Sequence, residues 1–327
     1  MTSLAPAPLQ TSSWLTAWRF DAVGVVLALA LLVPYVVLWV RARARGVSWP
    51  WWRAASYVVL GVGTLVYVTC GPVGVYRSTL MWMFAAQVAA VGTVIPVGLA
   101  IGDPLRLIDA ATGSSRTLAH RMAHSRVARV LTFPAVSCLL DIGGILAVFL
   151  SPYGEKAARS TLVGTLLLLQ LLVVGLLFVM PTLADDLLPD WATPPVRTFL
   201  AFFDGLADAI PGILVMTAHS LLLPGFPGFA TSANAVRGGL SHGLDQKYAG
   251  GALLVVAETI GIPMLAAVFA EWMRSDRAEA AVTDARLDDL EARRRAQAPD
   301  AVGTEPDQPW WLTDPRLADR FGRHDDS

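Results

Sequence analysis

Acidic and amide side chains interrupt several of the long apolar stretches of this sequence. They are Gln87, Asp141, Gln170, Asp208 and Glu258. A carboxylate at the centre of a membrane costs about 2.5–3.5 kcal/mol on insertion scales, so it usually faces a bundle interior or a wet cavity and has a partner. Several such residues in one bundle indicate a proton relay, a cation site, or helix-to-helix hydrogen bonds that fix the packing. We take these five residues as the predicted polar site within the membrane.

Methionine thioethers form a second group of side chains with ligand chemistry. They suit copper in its reduced state, although methionine is also an ordinary packing residue. An alternative copper site would use three methionines and one histidine, namely Met81, Met83, Met180 and His219. The two cysteines have the spacing of neither a zinc site nor a disulfide framework. We therefore expect no resident metal or cofactor, with copper as the alternative.

The sequence has no signature of a soluble enzyme. It contains no P-loop, no GxSxG and no HExxH, and no nucleophile is paired with a base. The net charge of −1 gives no general basic field that would attract nucleic acid. We expect a protein that is not an enzyme and does not bind nucleic acid.

The elements that must position these side chains are apolar helices. The sequence is 54% hydrophobic and 16% charged, whereas soluble domains carry about 25% charged residues. Seven stretches are close to the length of about 20 residues that a membrane-spanning helix needs. They cover residues 22–40, 54–75, 80–101, 131–150, 161–181, 198–223 and 249–273. We predict an all-α, polytopic membrane protein with a bundle of seven transmembrane helices.

Charge placement predicts the topology of this bundle. Arg41, Arg43 and Arg45 directly follow the first apolar stretch, which indicates that its C-terminal end faces the cytoplasm. We predict an extracytoplasmic segment over 1–20, a transmembrane domain over 21–273, and a cytoplasmic charged helix with a disordered tail over 274–327. The expected setting is a multi-pass protein in the bilayer of the cell membrane, with the N-terminus outside and the C-terminus in the cytoplasm.

The last apolar stretch and its flanks carry a distinctive pattern. Asp245 and Gln246 precede a glycine pair, Glu258 lies within the stretch, and its end has the form Trp-x-Arg-Ser-Asp at 272–276. This register resembles the last membrane helix of the CtaG-type cytochrome c oxidase assembly factors, which are seven-helix membrane proteins. The matched residues include Asp245, Gln246, Gly250, Gly251, Glu258, Trp272, Arg274, Ser275 and Asp276. The proline that the family places two residues after the glutamate is replaced by Ile260.

The resemblance extends back to about Met81, and it holds for the scaffold but not for the histidines. Residues that fit the family's proline and glycine frame are Pro96, Gly102, Pro104, Gly175 and Pro181. Positions that hold histidine in the family are here Phe84, Val88, Gly164, Leu168, Gln170 and Asp208. Imidazole is the usual copper ligand, and the remaining oxygen donors are hard and poorly suited to reduced copper.

The resemblance implies an assembly factor that acts through membrane partners, with respiratory oxidase subunits as the expected partners. The missing histidines imply that copper handling is lost or altered. The alternative from the residues alone is a proton- or cation-coupled transporter that uses the intramembrane carboxylates.

Overall fold

The computed structural model describes residues 6–113, 133–183 and 194–297, and the regular structure within these ranges is entirely helical. The prediction of an all-α protein is therefore confirmed. The chain divides into two units, Met1–Glu271 and Trp272–Ser327, and each is described separately. The predicted domain boundaries at 20 and 273 stay predictions.

Eight helices of the described ranges are labelled here. They are α1 (Ala22–Ala44), α2 (Trp51–Tyr76), α3 (Met81–Thr112), α4 (Pro134–Leu150), α5 (Tyr153–Arg159), α6 (Thr161–Leu183), α7 (Pro194–Thr217) and α8 (His242–Gln297). One short helical turn, Ser13–Thr16, precedes α1. Three others lie between α7 and α8, at Pro227–Phe229, Thr231–Ala233 and Asn234–Arg237.

Among the residues that the structure describes, four helices are long and apolar enough to cross a membrane: α1, α2, α3 and the Thr161–Met180 part of α6. The pair formed by α4 and α5, bent by 75°, makes a fifth if it is counted as one span. The sixth and seventh predicted stretches are helical in α7 and α8. The count of seven spans and the orientation in the membrane stay predictions.

One predicted boundary is wrong, and a helix lies where none was predicted. Residues 153–156, between the fourth and fifth predicted stretches, belong to the helix α5, in which Glu155 accepts from the backbone N–H of Gly225 and Arg159 donates to its carbonyl. The sixth helix was expected to reach residue 223 but ends at Thr217. His219 consequently lies in a loop and is exposed.

Helix α3 is the centre of the first unit. Its segment Ile95–Ile101 packs against the π-helical segment Tyr57–Gly63 of α2 and against α6, and its last part, Pro104–Thr112, packs against α1. The crossing with α2 is close, because a Cβ on Gly98 would overlap the backbone of Leu60 and Gly61. Contact at this distance gives the dense packing that small residues allow between membrane helices.

A bend at Gly102–Pro104 interrupts α3 directly after the end of the third predicted apolar stretch. Asp103 has a left-handed backbone (φ 48°) and accepts a hydrogen bond from the N–H of Arg106. Its other carboxylate oxygen pairs with Arg53 at 2.5 Å. The hydroxyl of Tyr35 donates to the carbonyl of Gly102 at 3.0 Å. These contacts fix the bend between α1, α2 and α3.

The second unit is helical from Trp272 to Gln297. Its described side chains are mostly exposed, and Asp289 pairs with Arg293 one turn later at 2.9 Å. Exposed pairs of this kind contribute about 0.3–0.5 kcal/mol. Residues 298–327 lie outside the described ranges, and the predicted disordered tail is among them.

Candidate functional site

Asp245, from the family-matched motif, lies at the start of α8 and joins two helices. Its side chain is fully buried, at 0% exposure. One carboxylate oxygen accepts from the backbone N–H of Met81 and the other from that of Trp82, each at 3.0 Å. These are the first two N–H groups of α3, which have no partner within their own helix, and Leu80 provides no side-chain cap. Asp245 therefore caps α3 from a different helix.

Gln246 makes the second half of this connection. Its side-chain oxygen accepts from the N–H of Leu222 at 2.8 Å, and its amide nitrogen donates to the carbonyl of Ser220 at 3.0 Å. Gln246 is 2% exposed, so both ends of the amide are satisfied in a buried place. The pair Asp245–Gln246, which we name the clamp, ties α8 to the start of α3 and to the loop after α7.

The electrostatics of the clamp are dominated by burial. Asp245 precedes the apolar part of α8, and burial raises the pKa of its carboxyl above the ordinary value of 3.8. The hydrogen bonds from Met81 and Trp82, and then the nearby Arg237 and His242, oppose this shift and lower the pKa. The net direction is upward, because desolvation of the charged form outweighs its partners.

The positions that the resemblance assigned to histidine on α3 and α6 belong largely to an apolar layer. Phe84 and Val88 are each 1% exposed and Leu168 is 4% exposed. The ring of Phe84 packs against Phe149 at 6.1 Å and against Phe226 at 6.0 Å between centroids. Such a layer offers carbon atoms where a copper site needs nitrogen or sulfur. The side chains present in this layer do not fit a metal.

Gln87 and Gly164 meet around Arg77, a residue that the sequence analysis missed. The amide nitrogen of Gln87 donates to the carbonyl of Val68 at 2.7 Å, and its oxygen accepts a long hydrogen bond, 3.4 Å, from Arg77. A Cβ on Gly164 would lie 3.0 Å from the guanidinium. The absence of a side chain at 164 is what lets Arg77 lie there. Burial lowers the pKa of Arg77, and Asp21 opposes that shift.

Gln170 makes a separate contact at the bend between α4 and α5. Its side-chain oxygen accepts from the hydroxyl of Tyr153 at 3.0 Å. Tyr153 is the first residue of α5, so the bond links α6 to the bent helix. The contact holds the bend and leaves Gln170 apart from the Gln87 cluster.

The three predicted carboxylates of the polar site lie on three different helices. Asp141 is buried on α4, whereas Asp208 on α7 and Glu258 on α8 are half-buried. In the part of the chain that the structure describes, no group of three or more His, Cys, Asp or Glu side chains is arranged to hold a metal ion. The role of these residues stays a prediction.

The alternative copper residues lie in different surroundings. Met81 and Met83 are fully buried at the start of α3. Met180 is half-buried and packs against the small apolar cluster that includes Val97. His219 is exposed in the loop after α7. Copper binding by these residues stays a prediction.

The rest of the family-matched pattern consists of packing contacts and exposed residues. A Cβ on Gly250 would overlap the backbone of Gly212 and Met216, and one on Gly175 would overlap Gly92 and the ring of Pro96. In the second unit, Trp272 is half-buried, and Arg274 and Asp276 are exposed.

Comparison with known proteins agrees with this scaffold. Residues 33–275 match the profile of the family described as cytochrome c oxidase caa3 assembly factor (Caa3_CtaG). Uncharacterized proteins of Mycobacterium bovis and Mycobacterium tuberculosis are each 29% identical over 296 residues, which cover 86% of this chain and 43% of theirs. A third, from Mycobacterium leprae, is 27% identical over 292 residues with the same coverage. The chain spans less than half the length of these curated relatives. No solved structure matches it.

Proposed function

Because the chain belongs to the family of cytochrome c oxidase caa3 assembly factors, we propose that it assists the assembly of a respiratory oxidase in the cell membrane. It does so by binding membrane-embedded oxidase subunits, without catalysis and without carrying copper itself. The observation that carries the proposal is the family match over residues 33–275. The proposed topology has the N-terminus outside and the C-terminus in the cytoplasm.

The apolar layer around Phe84 supports the metal-free part of the proposal. Phe84, Val88 and Leu168 are buried against other carbon side chains, and a metal placed there would gain no ligands in exchange for its hydration shell. The same layer joins α3 to α6. Its contribution is therefore to hold the bundle in one arrangement that a partner subunit can recognise.

Deletion of the gene tests the assembly role. We expect a lower level of assembled oxidase and a weaker copper signal in membranes, both restored by the wild-type gene. An unchanged oxidase in the deletion strain would contradict the proposal. The variant Asp284→Ala, which alters an exposed side chain outside the matched residues 33–275, serves as the control for expression and should complement fully.

Copper stoichiometry tests the metal-free part independently. Protein purified in detergent is loaded with reduced copper, washed, and assayed for copper per chain. We expect none to be retained. Retention of about one copper per chain would require a rebuilt site, and thioether ligation would make Met81, Met83 and Met180 the first residues to replace.

The transporter alternative has no support from the comparisons, which match a family of assembly factors. We do not propose it.

A further inference from the structure

A cavity of about 430 Å³ opens beside the clamp, at the end of the bundle where the N-terminal segment packs. Most of its lining residues have apolar side chains, and one is a cation. The lining residues are Pro8, Leu9, Leu80, Val236, Arg237, Gly238, Gly239, Leu240 and Leu244. Binding cavities for small molecules typically measure about 300–1,000 Å³. The volume of this cavity lies in that range.

Arg237 is the polar group of this cavity, and its hydrogen-bonding capacity is not fully used. One terminal nitrogen donates to the side-chain oxygen of Asn234 at 2.8 Å. The other two guanidinium nitrogens are buried and have no hydrogen-bond partner among the described residues. A buried donor without an acceptor is costly, more so when it is charged. Both nitrogens are shielded from solvent, so an anion in the cavity would supply the missing acceptors once the Arg237 side chain turns toward it.

The charged neighbours of Arg237 do not fill that role. Asp245 lies close enough to interact electrostatically with Arg237 and with His242. Both carboxylate oxygens of Asp245 are already bound to the N–H groups of Met81 and Trp82. His242 stacks on Phe229 at 4.5 Å, and the guanidinium of Arg237 lies 6.0 Å from the same ring. Arg237 therefore keeps donors that neither Asp245 nor His242 occupies.

The tryptophans near the cavity favour a lipid as the source of the anion. Leu80 directly precedes the first turn of α3, and in that turn Trp82 packs against Trp14 at 6.0 Å between ring centroids. Tryptophan is enriched at the level of the lipid headgroups. The N-terminal segment that forms one wall is held by a hydrogen bond of 2.8 Å from the hydroxyl of Tyr76 to the carbonyl of Ala7.

The rim of the cavity leaves room for a headgroup. Gly238 and Gly239 have positive φ angles of 57° and 86°, and a Cβ on either would meet no atom within 4 Å. Glycine adopts this conformation without strain, so the loop turns here without placing a side chain over the opening. Apolar walls below the rim, provided by Leu80, Val236 and Leu240, suit an acyl chain.

We propose that this cavity binds one anionic phospholipid, with its phosphate on Arg237 and its acyl chain against the apolar walls. Guanidinium is well matched to phosphate because it presents several donors in a planar fork. This site is independent of the proposed assembly role, and either can fail without the other.

Native mass spectrometry of the full chain in mild detergent tests this site. Phosphatidylglycerol and phosphatidylcholine with identical acyl chains are titrated against wild type, Arg237→Gln and Arg106→Gln. Arg106 is an exposed arginine on Pro104–Thr112, which makes it a matched control. We expect wild type to bind one phosphatidylglycerol in preference to phosphatidylcholine. Arg237→Gln should bind phosphatidylglycerol about tenfold more weakly, as expected for the loss of a charge-assisted hydrogen bond. Arg106→Gln should bind it as wild type does.

Equal binding of the two lipids, or unchanged phosphatidylglycerol binding in Arg237→Gln, would overturn the proposal. Displacement of the lipid by millimolar inorganic phosphate would assign the site to a free anion and overturn it as well. Leu244→Trp is a second variant that keeps the charge. Leu244 is 40% exposed, so a larger side chain is tolerated there, and it should weaken lipid binding by filling the cavity.

Discussion

Replacement of Asp245 by alanine should destabilise the bundle more than any single change at an exposed carboxylate. The substitution leaves the N–H groups of Met81 and Trp82 without their acceptors. A buried donor left unsatisfied costs about 1–3 kcal/mol, so the loss for two donors is about 2–6 kcal/mol. Asp245→Asn keeps one acceptor oxygen, and its loss should be about half as large by the same reasoning.

Thermal unfolding in detergent, followed by tryptophan fluorescence, measures this effect. A loss of 1 kcal/mol lowers the midpoint by about 2–4 °C for a domain of 150–250 residues. We therefore expect Asp245→Ala to melt roughly 4–24 °C below wild type, with Asp245→Asn in between. Asp276→Ala, at an exposed position of the same helix, is the control and should melt with wild type. Coincident melting of Asp245→Ala and wild type would refute the capping role of this carboxylate.

Three further predictions follow from the same contacts. Gly250→Ala should lower the free energy of unfolding by more than 1 kcal/mol, about the cost of overpacking, because its Cβ would overlap Gly212 and Met216. Gly251 has open space around it, so Gly251→Ala should be neutral or slightly stabilising. Melting curves of the two variants test this difference. Burial raises the pKa of Asp245 above 3.8, so the folded state binds this proton more tightly than the unfolded state does. Stability should therefore fall as pH rises from about 3.8 through the raised pKa. Melting curves across this pH range should show that loss of stability in wild type and not in Asp245→Asn. Phe84→Ala should cost about 3–5 kcal/mol through the cavity left in the core, and a copper assay on this variant should still find no retained metal.

Much of the scaffold could be predicted from the sequence because it depends on local properties. Long apolar stretches predicted α1, α2, α3 and α6, since length and hydropathy alone decide whether a helix suits a membrane. The glycine and proline frame was located correctly as well. Gly102 and Pro104 mark the bend of α3.

The helix α5 was not predicted because contacts between residues far apart in the sequence stabilise it. The seven residues of α5 include Glu155, Lys156 and Arg159, a composition typical of a turn, yet Ala157 is fully buried. Its helix is stabilised by bonds to Gly225, which lies 70 residues after Glu155. No local pattern reports a partner at that distance.

The candidate site was predicted only in part for the same reason. The motif at Asp245 and Gln246 was identified, but no pattern in the sequence indicates that Asp245 caps α3. Arg77 was overlooked because it lies between two apolar stretches, and the signal that could have found it is the glycine at 164. Arg237 was likewise missed in a glycine-rich loop.

The clamp also has a consequence for biosynthesis. Asp245 is made 164 residues after Met81, and at about 5–20 residues per second the ribosome needs on the order of ten seconds to cover that distance. During this interval the start of α3 has emerged without its acceptor. A nascent chain that stalls before residue 245 therefore exposes two unsatisfied N–H groups, a feature by which membrane quality control could distinguish incomplete chains from finished ones.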